Sequence, residues 1–98
     1  MVKHIILWKL KADLADVRAV KFGIKAALEG LKGQIPGLLE ITVHTEGLPS
    51  SNMDVILDST FTDAAALKAY ATHPAHVAVA DGKVRPFTAQ RACLDFEV

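Results

Sequence analysis

From Val2 to Lys11 the chain alternates in character. Val2, His4, Ile6, Trp8 and Leu10 fall on one side, and Lys3, Ile5, Leu7, Lys9 and Lys11 on the other. A period of two with β-branched members predicts a strand, and apolar centres on both faces predict one covered on both sides. The period then changes. Asp13 opens a helix with Asp16 as a weaker capping-box partner, and Val17, Val20, Ile24, Leu28, Leu31 and Ile35 make one apolar stripe that fades at Gly33 and stops before Pro36. Ala15, Ala19, Gly23, Ala26, Gly30 and Gly33 lie opposite, beside Phe22. Such small residues read either as a tolerated solvent face or as a side that another surface approaches closely.

Pro36-Gly37 predicts a turn. Leu38 to Glu46 alternates again, with Leu39, Ile41 and Val43 against Glu40, Thr42, His44 and Glu46, so this strand has one polar face and His44 belongs at a surface or interface. Gly47 to Asn52 is a loop by composition, and Met53 to Phe61 is a third strand, close enough to the second to form a hairpin. Thr62 or Asp63 caps a second helix, Ala64 to about Thr72, whose inward stripe is Leu67, Tyr70 and Ala71. His73-Pro74 interrupts it, because proline disfavours helical geometry in the residue before it yet suits the first turn of a new helix. A short helix from Ala75 to Asp81 follows, ended by Gly82, and Pro86 marks a turn. In the last strand, Thr88 to Val98, Ala92, Leu94, Phe96 and Val98 share one face and Arg91, Asp95 and Glu97 the other.

The resulting order, β-α-β-β-α-β, predicts an α+β fold: the ferredoxin-like arrangement, an antiparallel sheet with helices on one face. The other sheet face keeps apolar residues with no third layer to cover them, so a second copy of the chain is the simplest cover. Composition agrees. The 98 residues make one domain, 1–98, of which 51% is hydrophobic. Eleven Lys+Arg balance eleven Asp+Glu, a neutrality that argues against a nucleic-acid binder and a polybasic membrane anchor. No apolar run approaches the ~18 residues of a membrane span, and Lys9 and Lys11 cut short any leader-like stretch, so the expected setting is cytoplasmic. Cys93 is the one cysteine; it excludes an internal disulfide and multi-cysteine zinc frameworks, and reads as a small buried hydrophobe.

The candidate chemistry sits on histidine and tyrosine. His76 follows a helix break near the positive end of a short helix, which favours the neutral imidazole that a general base needs; the alternative is a histidine that only hydrogen-bonds a backbone carbonyl at the break. Tyr70, on the inward stripe, needs a partner for its hydroxyl. His4 and Trp8 share a strand face. Trp8, Ile6, Leu67 and His73 complete the expected wall of an apolar pocket with few polar groups, of the kind that holds small aromatic or carbonyl-containing ligands; His73, before Pro74, also reads as a capping or turn residue. A metal pair of His73 and His76 lacks a carboxylate, so no metal centre is expected. Ser50, Ser51 and Ser59 lack a nucleophile-elbow context, and Gly30 and Gly33 do not form a phosphate loop.

Three segments taken together carry a resemblance: Met1-Val2-Lys3-His4-Ile5-Ile6-Leu7-Trp8-Lys9-Leu10-Lys11, Ile35-Pro36-Gly37-Leu38 and Ala69-Tyr70-Ala71-Thr72-His73-Pro74-Ala75-His76, with Arg91-Ala92-Cys93-Leu94-Asp95-Phe96 near the end. The chain resembles the stress-responsive A/B barrel domain family over essentially its whole length. The resemblance implies a homodimeric α+β barrel in which two sheets pack face to face. One plant branch of the family is a polyketide cyclase acting without a redox cofactor, and its base, its helping tyrosine and its strand histidine fall on His76, Tyr70 and His4. The implied activity is therefore cofactor-independent proton abstraction leading to aldol-type cyclisation or isomerisation of a carbonyl substrate, as in a cyclase/lyase or isomerase-like enzyme. The alternative is a non-enzymatic, stress-associated or ligand-binding dimer.

Overall fold

The N-terminal alternation becomes β1 (Val2–Leu10), an inner strand of a four-stranded antiparallel sheet. The computed structural model describes residues 1–98. β2 (Leu38–His44) and β3 (Val55–Phe61) pair as the expected hairpin, and β4 (Thr88–Glu97) pairs with the free side of β1, giving the order β2-β3-β1-β4. Across β1, Trp8 stands between Val55 and Arg91, and His4 between Ser59 and Asp95. The helices are α1 (Val17–Glu29), α2 (Ala64–Thr72) and α3 (Pro74–Val79). The fold is the ferredoxin-like one, with α3 added before the last strand.

The core lies on one side of the sheet. Ile6, Ile41, Val43, Leu57 and Phe61 meet Ile24 and Leu28 of α1 and Tyr70 of α2, all buried. Burying each aliphatic or aromatic side chain of this size contributes about 1.5–3 kcal/mol. On the other side, Ile5, Leu7 and Ile56 are half-buried, and Leu94 and Phe96 are 65% and 42% exposed. Nothing else in the chain covers this apolar face.

Several local expectations are corrected. Asp16, not Asp13, caps α1: its carboxylate accepts from the Ala19 N–H at 3.0 Å, and it directly precedes the first helical residue. The helix ends at Glu29, and Leu31 and Ile35 reach the core from the turns beyond it. The β2–β3 register shifts between Leu38 and Glu40, so Leu38 points inward and Leu39 is left 39% exposed. Gly82 does not stop the third helix. The chain continues through a π-type turn, Ala80–Val84, and a 3-10 turn, Arg85–Phe87, that contains Pro86; the first of these buries Ala80 and Val84. Cys93 is exposed rather than buried, because its register opposite Ile6 puts it on the helix side of β4, and β4 is exposed from Ala89 onward.

The small-residue side of α1 is a solvent face of this chain: Phe22 is 75% exposed and a Cβ on Gly23 would meet nothing. Gly37 is different. Its φ of +81° is left-handed, and a Cβ there would lie 2.5 Å from the Ala66 Cβ. Its carbonyl accepts from the Thr62 N–H at 3.0 Å, so the start of α2 is seated directly on the Pro36-Gly37 turn. That contact fixes where Tyr70 arrives two turns later.

Candidate functional site

The sheet is wider than the helix layer above it. Between the exposed helix side of β4 and the α2–α3 junction lies a cavity of about 690 Å³. Its floor comes from β1 and β4, with Trp8 and Ile6 beside Arg91 and Cys93; its roof is Leu67, Tyr70 and His76. Trp8 itself is 5% exposed.

Tyr70 is the most deeply set polar residue of the wall, 1% exposed. Its ring packs 4.9 Å from that of Phe61, 6.0 Å from that of His4 and 4.1 Å from that of His76. Its hydroxyl is buried and has no hydrogen-bond partner in the protein. Burial pushes the phenol up to about 12, so it stays an O–H donor. A buried hydroxyl without a partner costs roughly 1–3 kcal/mol.

His76 lies over Tyr70 and is held from behind. Its Nδ1 is 3.3 Å from the Ala71 carbonyl, the last turn of α2. A carbonyl only accepts, so Nδ1 carries the proton and donates, leaving Nε2 with a lone pair. Burial lowers the pKa of His76; the bond to Ala71 opposes this, and the positive charges of Arg85, His4 and Arg91 lower it further. The shift favours the neutral imidazole, with desolvation as its main cause rather than the end of a short helix.

His4 is buried, and its Nδ1 hydrogen-bonds the Asp95 carboxylate directly across the β1–β4 pair. The Ser59 hydroxyl donates to the His4 carbonyl at 2.8 Å, fixing this strand position from the other side. The Cys93 sulfur is 3.8 Å from His4 Nδ1 and 3.5 Å from Asp95 Oδ1. Burial and then the Asp95 charge push the Cys93 thiol up, which keeps it protonated and a poor nucleophile. The donor atoms of His4, Cys93 and Asp95 lie within 4.8 Å of one another, so these are the residues able to hold a metal ion. They already hydrogen-bond one another.

His4, Tyr70 and His76 thus border one cavity, as do Trp8, Ile6 and Leu67. His73 does not. It caps α3 instead, its Nδ1 accepting from the Ala75 N–H at 3.1 Å, because the N-cap of a helix begun by Pro74 needs an acceptor. Sequence reasoning missed Lys68, Arg85, Arg91, Cys93 and Asp95, which also line the space. The signal for the last three was the alternation of β4, which placed Arg91 and Asp95 on one face; what lay above that face was not in the pattern.

A four-stranded antiparallel sheet, helices on one face and a cavity where the sheet outruns them define a ferredoxin-like α+β protein. The chain belongs to the stress responsive A/B barrel domain family, whose model matches residues 2–98. Among solved structures, a dimeric protein of unknown function and ferredoxin-like fold from Bacteroides fragilis is 35% identical, with a TM-score of 0.89, covering 99% of this chain and 95% of that one. A dimeric ferredoxin-like protein of unknown function from Jannaschia sp. is 27% identical, with a TM-score of 0.79 and coverage of 99% and 98%. A hydroxynitrile lyase from Passiflora edulis shares the fold at 20% identity, with a TM-score of 0.81 and coverage of 97% and 90%. No curated protein matches the chain by sequence. No helix is long and apolar enough to cross a membrane.

Proposed function

We propose that the chain is a homodimer whose cavity takes a small carbonyl compound and abstracts a proton next to the carbonyl, without a cofactor. The observation that carries this reading is the unpartnered hydroxyl of Tyr70, buried in the cavity wall with the ring of His76 at 4.1 Å. The Tyr70 O–H donates to the substrate carbonyl oxygen. His76 Nε2 takes the proton of the adjacent C–H bond, whose electron pair passes to the carbonyl oxygen to give an enolate. The enolate then attacks a second carbonyl in the same molecule, closing a ring whose new alkoxide takes the proton back from His76, or regains the proton at another atom, giving an isomer; either way His76 returns to its neutral state. His4, held by Asp95, borders the same space and helps orient the carbonyl. The hydroxynitrile lyase among the neighbours is an enzyme on the same fold.

The homodimer rests on the uncovered apolar sheet face and on the dimeric descriptions of the neighbours. Light scattering is expected to give twice the 10.5 kDa chain mass at micromolar concentration, consistent with an interface above about 1,000 Å². A monomer mass overturns it.

The chemistry is tested by following C–H deuterium exchange of a simple 1,3-diketone by NMR. Exchange is expected with the native protein and is expected to fall ~10²–10⁴-fold in His76→Ala, the usual contribution of a positioned base. A ligand that binds with no exchange, or an unchanged rate in His76→Ala, leaves the ligand-binding dimer, which the backbone bond of His76 to Ala71 also fits.

A further inference from the structure

The chain as a whole carries no net charge, yet the cavity wall does. Its ionisable lining has three permanent cations, Lys68, Arg85 and Arg91, against one carboxylate, Asp95. Two of these four are already engaged: Asp95 with His4, and Arg85 with Asp81. Lys68 on α2 and Arg91 on β4 make no ion pair anywhere in the structure. They stand on opposite walls, and the rest of the lining is mostly apolar. An apolar cleft edged by one sign of charge focuses its field into the opening and concentrates ligands of opposite charge.

We infer that the cavity selects a carboxylate-bearing substrate, an apolar or aromatic keto acid whose carboxylate is gripped by Arg91 with Lys68 opposite, while its carbonyl reaches the orphaned hydroxyl of Tyr70. The inference rests on the small-molecule reading above and narrows it. A planar guanidinium suits a carboxylate because it offers two parallel N–H donors, which sets orientation as well as affinity. Arg91 is opposite Trp8 in the sheet, so the gripped end of the ligand lies beside an apolar indole wall. Burial is the main cause of the lowered His76 pKa, and the nearby positive charge of Arg91 adds to it.

The test compares 3-benzoylpropanoate with its uncharged amide, 3-benzoylpropanamide, by calorimetry. The indole N–H resonance of Trp8, the one tryptophan, reports cavity occupancy. The native protein is expected to bind the acid at least ~10-fold more tightly than the amide, and added salt to shrink that ratio. Arg91→Ala is expected to bring the ratio close to one, by weakening the acid far more than the amide, and Lys68→Ala to lower it less. Arg91→Lys keeps part of the preference, which separates charge from fork geometry. Arg18→Ala, on the exposed side of α1, changes the net charge equally and is expected to leave the ratio alone. Equal binding of acid and amide with a Trp8 shift overturns the carboxylate inference and leaves the pocket standing. No Trp8 shift with either compound overturns both.

Discussion

Over β2 and β3 the helix side of the sheet is sealed; over β4 it is open. Apart from the register shifts at Leu38/Glu40 and Lys9/Leu10, alternate residues of each strand face the helices. On the sealed side those positions read Leu38, Ile41, Val43, Val55, Leu57, Ser59 and Phe61, all buried and all apolar but Ser59, whose hydroxyl bonds the His4 carbonyl. On β4 they read Arg91, Cys93, Asp95 and Glu97, and all are exposed. The boundary runs along β1, where Trp8 and Ile6 are buried yet border the cavity. The same face of one sheet thus serves as core where helices cover it and as the floor of an open cavity where they stop. Polar residues at inward positions of an edge strand mark the place where the helix layer ends.

Substitutions can break this comparison or sharpen it. The largest effect is expected at Phe61, which is fully buried and packs on Tyr70. Phe61→Ala is expected to cost ~3–5 kcal/mol in denaturant unfolding. Gly37→Ala comes next, at about 1–3 kcal/mol, since it forces a left-handed residue against Ala66. If it proves neutral in a thermal melt, α2 is not seated as described and neither is the roof of the cavity.

At the boundary the sign reverses. Tyr70→Phe removes the unpartnered hydroxyl and is expected to stabilise the protein by about 1 kcal/mol, read as a higher Tm, while deuterium exchange of the diketone falls. A lower Tm shows that the hydroxyl is satisfied in solution.

The pH dependence of His76 is smaller. Its pKa in the folded protein lies below the ordinary 6.5, so below that pH the unfolded chain takes up the proton first. Its contribution to stability is therefore full above pH 6.5 and is lost as pH falls towards the folded value. An NMR titration of the His76 ring is expected to show a midpoint below 6.5, moving up in Arg91→Ala. A midpoint above 6.5 contradicts the buried neutral base. The smallest effect belongs to the open side: Cys93→Ser is expected to stay within about 0.5 kcal/mol of the native protein. A loss comparable to Phe61→Ala erases the distinction between the two regions.

The parts of the fold that could be read from sequence are those where one period dominates. The alternation of β1 and β3 gave their faces correctly, because a strand wrong by one residue would expose every apolar side chain. Ambiguity entered where two equivalent residues competed for one position. Asp13 and Asp16 both suit an N-cap, and Leu38 and Leu39 both suit an inward strand position until a register shift chooses. Gly82 carried a stop signal that packing of Ala80 and Val84 overrode. The histidine and tyrosine candidates were recognisable because buried polar groups are few. Arg91, Cys93 and Asp95 were not, since their place on the cavity wall comes from the uncovered edge of the sheet. That edge is a tertiary fact with no local pattern.

One consequence concerns the order of events in time. The floor of the cavity joins β1 to β4, and its central pair, His4 and Asp95, is separated by 91 positions. Pairs this distant form slowly, because the intervening loop must close before any contact rewards it. The β2–β3 hairpin and the core above it need far shorter closures. A chain that has folded this far has a packed interior and no binding cleft. If the cavity binds a ligand as proposed, affinity is acquired last during refolding, and the bound ligand is expected to slow departure of the final strand without hastening the earlier steps.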